Sequence, residues 1–266
     1  MPFDPWLERC ALTSDGSPTR TPSSDLLPVV RGGMPAMLKI ARTQEERRGA
    51  ALLAWYAGEG AVRVLEVEDV ALLMERPRGN QSLVELSRGG RDDEATRILC
   101  AAIHKLHAER HRPLPPDLVP LDRWFRSLES SAPPQLARSR AIARELLADS
   151  RASVTLHGDI HHGNVLHDIE RGWLAIDPKG LCGERAFDYT NIFCNPDLDT
   201  AADPAVFSRR LDIVVEAAGI DRQRLLKWVL AYAGLSAAWC MEDADNDGVG
   251  LRLAVVEIAS RCLTVR

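Results

Sequence analysis

Apolar residues in the first third of the chain recur at short, strand-like spacing, broken once by a helical stretch. Leu26 to Val30 and Ala36 to Ile40 flank the turn Arg31-Gly32-Gly33 and predict a hairpin. Thr43 and Glu46 form a T-x-x-E capping pattern ahead of an apolar face of Leu52, Leu53 and Tyr56, which predicts a helix. Val62 to Val67 and Val70 to Met74 predict a second hairpin around Glu68-Asp69. The strand signal stops there. Arg76-Pro-Arg-Gly-Asn80 has turn chemistry and reads as a hinge.

Beyond the hinge the period becomes helical, with Ile98, Leu99, Ala102, Ile103 and Leu106 on one face of a helix from Asp92 to Glu109. Further helices are expected around 135–148, 184–194, 205–218, 221–240 and 250–264. Two short apolar runs, Val154 to Leu156 and Trp173 to Ile176, flank the most polar stretch of the chain. The pattern therefore predicts an α+β molecule, with a small β-rich lobe over 1–75 and a larger, mainly helical lobe over 76–266.

Composition removes several alternatives. At 266 residues the chain is long enough for two modest cores. No apolar run reaches the roughly 20 residues of a membrane span, and no signal-peptide pattern opens the chain. The six cysteines form no CxxC pair, which fits reduced thiols and a cytoplasmic location. A net charge of −5 gives nucleic acid no broad reason to bind and suits a cationic small molecule. A monomer or weak dimer is expected.

The polar stretch is Leu156-His-Gly-Asp-Ile-His-His-Gly-Asn-Val165, followed by Ile176-Asp177. Phosphoryl transfer to an alcohol needs a carboxylate at the hydroxyl, oxygen ligands for magnesium and cations on the phosphates. Asp159 is the candidate base. Asn164, five positions on, and Asp177, thirteen further, are candidate Mg2+ ligands in the order and spacing of the protein-kinase catalytic loop and metal aspartate. That points to a protein-kinase-like bilobal fold binding ATP. Lys39 lies in an apolar strand where a buried ammonium needs partners, and phosphates plus Glu46 would supply them. Glu45 competes for that pairing, and Lys39 as an edge charge with Glu46 as a simple cap is the plainer alternative.

These residues resemble the aminoglycoside phosphotransferase family, in its streptomycin 6-kinase and hydroxyurea phosphotransferase branch. His157, Gly158, Asp159, His161 and Asn164 match its His-Gly-Asp-x-His-x-x-Asn loop, and Ile176, Asp177 and Gly180 match its Ile-Asp-x-x-Gly motif. Gly33 to Lys39, Phe187 to Phe193, Asn195 to Asp197 and Leu235 to Trp239 are similar to that branch in particular, and the likeness runs from about residue 25 onward. The resemblance implies ATP between the lobes, adenine held by backbone groups near Met74 and Glu75, and a cationic aminoglycoside, streptomycin first, on the C-terminal lobe. Residues 1–25 hold no Gly-x-Gly-x-x-Gly loop, as is common in the family, which leaves Ser23 and Ser24 as candidate phosphate contacts.

His157 reads as a scaffold residue. His161 occupies the place of the kinase lysine that reaches the γ-phosphate, while His162 and His167 read as structural or exposed. Asp188 and Asn191 are candidate substrate contacts, with anchoring of the catalytic loop as the other reading of Asp188. Trp239, Glu242 and Asp243 offer an aromatic face and carboxylates to guanidinium groups. Asp243-x-Asp-x-Asp-Gly248 imitates the start of a calcium loop, but Ala254 stands where the bidentate glutamate belongs. Two other classes stay open: a zinc metallohydrolase built on His157 to His162, and a degenerate kinase fold used for binding.

Overall fold

The computed structural model describes residues 2–130, 133–149 and 151–264. Its N-terminal part is an antiparallel sheet. Helix α1 (Asp4–Arg9) precedes β1 (Leu12–Ser14), β2 (Thr19–Arg20), β3 (Ser24–Arg31) and β4 (Met34–Ala41), then α2 (Gln44–Tyr56), β5 (Val64–Glu68) and β6 (Ala71–Glu75). The strands lie in the order β1-β3-β4-β6-β5, with β2 beside β3. Both predicted hairpins are present; α1, β1 and β2 carried too few apolar residues to be read in advance. Alternation along β4 decides where Lys39 goes. Ala36, Leu38 and Ile40 join an outer core with Phe3, Leu27, Val29 and Leu73, so Lys39 faces the other way, beneath α2.

Thr43 caps α2 by accepting the Glu46 N–H, as the T-x-x-E pattern predicts. The Glu46 carboxylate does not return to the cap. It turns inward to Lys39 and accepts from Ser23 Oγ at 2.7 Å. One turn along, α2 meets the loop after Asp177 at Gly49, where an added Cβ would stand 2.1 Å from the Pro178 carbonyl oxygen. Gly49→Ala should therefore lower Tm by several degrees, although alanine favours a helix interior by about 1 kcal/mol over glycine. A raised Tm in thermal denaturation would show that α2 can move aside freely.

The remainder is mostly helical, through α3 (Leu83–Leu86), α4 (Asp92–Leu106), α5 (Leu121–Trp124), α6 (Arg126–Ser130), α7 (Ala137–Ala148), α8 (Leu198–Ala201), α9 (Pro204–Ala218), α10 (Arg222–Glu242) and α11 (Asn246–Thr264). Helix α10 runs through the core, with Leu225 to Ala238 buried almost without interruption. Strand β7 (Val119–Pro120) pairs with β11 (Leu181–Glu184), which also pairs with β8 (Ser153–Leu156), and β9 (Val165–Asp168) forms a hairpin with β10 (Gly172–Ala175). The helix expected around 184–194 is a 3-10 helix over Arg185–Cys194, preceded by a strand. From Ala186 to Cys194 every residue is buried, so no polar face sets a 3.6 period, and Thr190 Oγ1 donates to the Phe187 carbonyl at 2.7 Å. The main core includes Leu52, Leu53, Tyr56 and Met74 along with the helical lobe, so α2 and β6 pack on both sides of the predicted boundary.

All six cysteines are free thiols. No helix among the described residues is long and apolar enough to cross a membrane.

Candidate active site

The β9–β10 hairpin explains the spacing of the polar motif. Val165 pairs with Ala175, so the residues just outside the hairpin also meet, and Ile176 N donates to the Asn164 carbonyl at 2.9 Å. The loop before β9 and the residue after β10 are thereby held side by side, which brings Asp159, Asn164 and Asp177 together. Asp177 has φ +61°, a left-handed conformation that a non-glycine residue seldom adopts and that concentrates at functional sites.

Asp159, Asn164 and His157 are each fixed by a neighbour. Asp159 Oδ1 accepts from Asn191 Nδ2 at 2.8 Å, and Oδ2 accepts from Asn164 Nδ2 at 3.1 Å. With its amide nitrogen used in this way, Asn164 retains Oδ1 as the donor a magnesium ion prefers. His157 is fully buried; its Nδ1 accepts from Asp159 N at 3.2 Å and its Nε2 donates to the Ile176 carbonyl at 2.9 Å. Burial lowers its pKa in spite of Asp188 and Asp159 nearby, so it is a neutral brace. Asp188 lies beneath the loop, accepting from His157 N at 2.9 Å, Gly158 N at 2.8 Å and His107 Nε2 at 2.8 Å. Burial opposes its charge, but the His107 hydrogen bond and charge outweigh it and hold the carboxyl below its usual range.

Two lysines stand over this carboxylate group. Lys39 forms ion pairs with Glu46 and with Asp177 Oδ1. Lys179 Nζ is 3.5 Å from Asp177 Oδ2, 3.7 Å from Asp159 Oδ2 and 3.7 Å from Glu45 Oε1. The two consecutive glutamates of α2 thus serve different lysines, which resolves the competition between Glu45 and Glu46. For Asp177, burial raises the pKa, but Lys39 and Lys179 outweigh it and keep the group ionised. An ionised carboxylate and an amide oxygen side by side are an oxygen donor set that fits magnesium.

Asp159 also lies on the wall of a cavity of about 600 Å3. Glu45, Asp243, Trp124, Tyr232 and Trp239 line it, with the Trp124 and Trp239 rings edge to face at 5.4 Å. So do four cations, Arg123, Arg126, Lys179 and Arg252, the last donating to Ser236 Oγ at 3.1 Å. The acceptor side is therefore mixed in charge rather than uniformly acidic.

The family model for aminoglycoside/hydroxyurea antibiotic resistance kinases matches residues 9–244. This chain belongs to that family. Among relatives, it is 49% identical to streptomycin 3''-kinase of Klebsiella pneumoniae, over 97% of this chain and 100% of the other. It is 31% identical to streptomycin 6-kinase of Streptomyces griseus, over 96% and 87%. Among solved structures, the apo form of a thermostable mutant of aminoglycoside phosphotransferase APH(4)-Ia superposes with a TM-score of 0.72 at 14% identity, covering 98% of this chain and 99% of that one. The kinase is a phosphotransferase with a hydroxyl acceptor, on the protein-kinase-like α+β fold.

Several expected contacts of the kinase fall elsewhere. Asp188, offered as a substrate contact, is 2% exposed and takes its anchoring alternative, since it accepts from two backbone N–H groups of the loop and from His107. Ser24 is buried in the β2–β3 turn with its hydroxyl against Thr21 Oγ1 at 3.1 Å, leaving no side-chain oxygen for phosphate. Glu75 ion-pairs with Arg171 of the β9–β10 turn and accepts from Arg63 N at 2.7 Å; its own N–H donates to the Arg63 carbonyl at 2.9 Å and is not available to adenine. Met74 packs its side chain into the core from β6, which does not bear on the adenine contact expected of its backbone. Glu242 ends α10 and does not line the cavity, whereas Asp243, Trp239 and Asn191 do. The calcium-like stretch begins α11, with Asp245 Oδ1 accepting from Gly248 N at 3.0 Å.

His161 lines the cavity, where burial first, then Lys179 and Arg252, lowers its pKa against the pull of Asp159 and Asp177. Its Nδ1 accepts from Gly163 N at 3.0 Å. With His157 braced on Ile176, and no group of three or more His, Cys, Asp and Glu gathered as a metal cage among the described residues, the zinc hydrolase reading fails on geometry. Sequence reasoning missed Lys179, Arg123, Arg126 and Arg252, and named Glu45 only as a rival partner for Lys39. Only Lys179 left a signal, two positions after Asp177 inside the Ile-Asp-x-x-Gly motif.

Proposed function

We propose that the kinase transfers the γ-phosphoryl group of ATP to a hydroxyl of streptomycin. The observation that supports this most is the place of Asp159, one oxygen toward the Lys39–Asp177–Asn164 group and the whole carboxylate on the wall of the acceptor cavity. Residues 1–75 form the nucleotide lobe and 76–266 the catalytic and acceptor lobe, with ATP between them.

Asp159 orients the acceptor hydroxyl and takes its proton. Asn164 Oδ1 and Asp177 would hold magnesium, which when bound would supply positive charge for the β- and γ-phosphates. Lys39, steadied by Glu46, meets the non-transferred phosphates. Glu45 and Asp243 meet the guanidinium or ammonium groups of the acceptor, and Trp239 covers its ring faces. Asn191 fixes the rotamer of Asp159, and His161 presents its Nε2–H to the acceptor oxygen. The 49% identity to a streptomycin kinase across the whole chain supports streptomycin over other acceptors.

Purified protein with magnesium and ATP should release ADP in step with loss of streptomycin, and NMR of the product should locate the phosphate on one hydroxyl. Turnover of choline or ethanolamine with none of streptomycin would move the protein to a kinase of another small metabolite. ADP release indifferent to every acceptor would remove the assignment altogether.

A further inference from the structure

We infer that Lys179 is a further catalytic residue, the cation that meets the transferred phosphoryl group; this rests on the phosphotransferase reading above. Two lysines share Asp177, one on each oxygen, but their other partners differ. Lys39 is bound to Glu46 inside the nucleotide lobe, away from the acceptor cavity. Lys179 lines that cavity and stands between Asp177 and Asp159, at 3.5 and 3.7 Å. A phosphoryl group passing from a nucleotide held at Asp177 to a hydroxyl held at Asp159 has to cross the space that Lys179 faces.

In the step itself, the acceptor oxygen bonds to the γ-phosphorus as the bond from that phosphorus to the β–γ bridging oxygen breaks. The electron pair of that bond leaves with ADP, and the hydroxyl proton goes to Asp159. Lys179 forms no covalent bond; its ammonium donates to a non-bridging oxygen of the group in flight, where charge stabilisation is worth most. His161 is placed on the acceptor side instead, its Nδ1 accepting from Gly163 N and its Nε2 4.0 Å from Asp159 Oδ1, whereas Lys179 also meets Asp177. Glu45 supplies the counter-charge at 3.7 Å, from a helix of the opposite lobe. Lys179 N also donates to the His157 carbonyl at 2.7 Å, which fixes the backbone from which the ammonium reaches.

The test compares MgADP with MgADP plus aluminium fluoride, a mimic of the phosphoryl group in flight, by calorimetry on the full chain. Lys179→Met should leave MgADP affinity within about threefold, lower affinity for the aluminium fluoride complex by about 100-fold, and lower kcat by a similar factor. Lys179→Gln, run beside it, should lose the mimic in the same way, and Lys179→Arg should regain part of it. Equal loss for both ligands, or no loss for either, would overturn the proposal and reduce Lys179 to a spacer between carboxylates. The two affinity measurements need no aminoglycoside, so a wrong acceptor leaves them intact. A wild-type protein that binds neither ligand would sink the phosphotransferase reading instead.

Discussion

Asp159→Asn is expected to lower kcat by about 10³-fold while changing MgATP affinity by no more than about threefold. The substitution keeps the size of the side chain but removes the proton acceptor and sets an amide N–H against one of its two donors, Asn164 or Asn191; general-base catalysis contributes about 10²- to 10⁴-fold. Because Asp159 Oδ2 also attracts Lys179, part of the loss will come from a less well-placed ammonium, and that part should appear in kcat rather than in KM for the acceptor. Steady-state ADP release together with calorimetric MgATP binding separates the two. A variant retaining more than about a tenth of wild-type kcat would show that Asp159 is not the base.

The largest effect on stability is expected from Arg210→Met. Arg210 is fully buried and donates to both oxygens of Asp92, at 2.9 and 2.6 Å, and to the carbonyls of Ile192 and Asn195, each at 2.6 Å. It stitches the start of α4 to the end of the 3-10 helix through α9. Burial pushes the Asp92 carboxyl up, but the Arg210 hydrogen bonds and charge outweigh this and hold it below the usual range. Methionine fills the space and leaves Asp92 buried without its cation, at a cost of about 3–5 kcal/mol. Tm should fall by about 10 °C or more. Arg210→Met combined with Asp92→Leu should recover part of the loss, since the unpaired charge is then gone. An unchanged Tm for the single variant would show that the pair contributes no net stability. Activity should fall as well, because Asn195 Nδ2 donates to Asn191 Oδ1 at 2.9 Å and Asn191 holds Asp159.

What the sequence disclosed follows from how far apart the cooperating residues lie along the chain. Asp159, Asn164 and Asp177 share one loop and the hairpin beside it, so their relative positions are set by local geometry and could be read from spacing. Lys39 was legible because a charge in an apolar strand asks for partners, and alternation along β4 points it beneath α2. Arg123 and Arg126, on the adjoining helices α5 and α6, meet Arg252 of α11 and the catalytic loop only through tertiary packing, so nothing in their neighbourhoods announced the cations of the cavity. Glu242 and Asp243 look alike in sequence, yet the end of α10 divides them, and only Asp243 reaches the cavity. The 3-10 helix was misread for a related reason: burial on every side erases the periodicity from which a helix type is inferred.

The adjoining glutamates of α2 have one more consequence. Because Glu46 answers to the lysine of its own lobe and Glu45 to the lysine of the other, a small rotation of this single helix would disturb the grip on the nucleotide and the cation facing the acceptor together. A substitution at Gly49, pressing on Pro178, would thus reach both sides of the site through one contact that neither lysine makes.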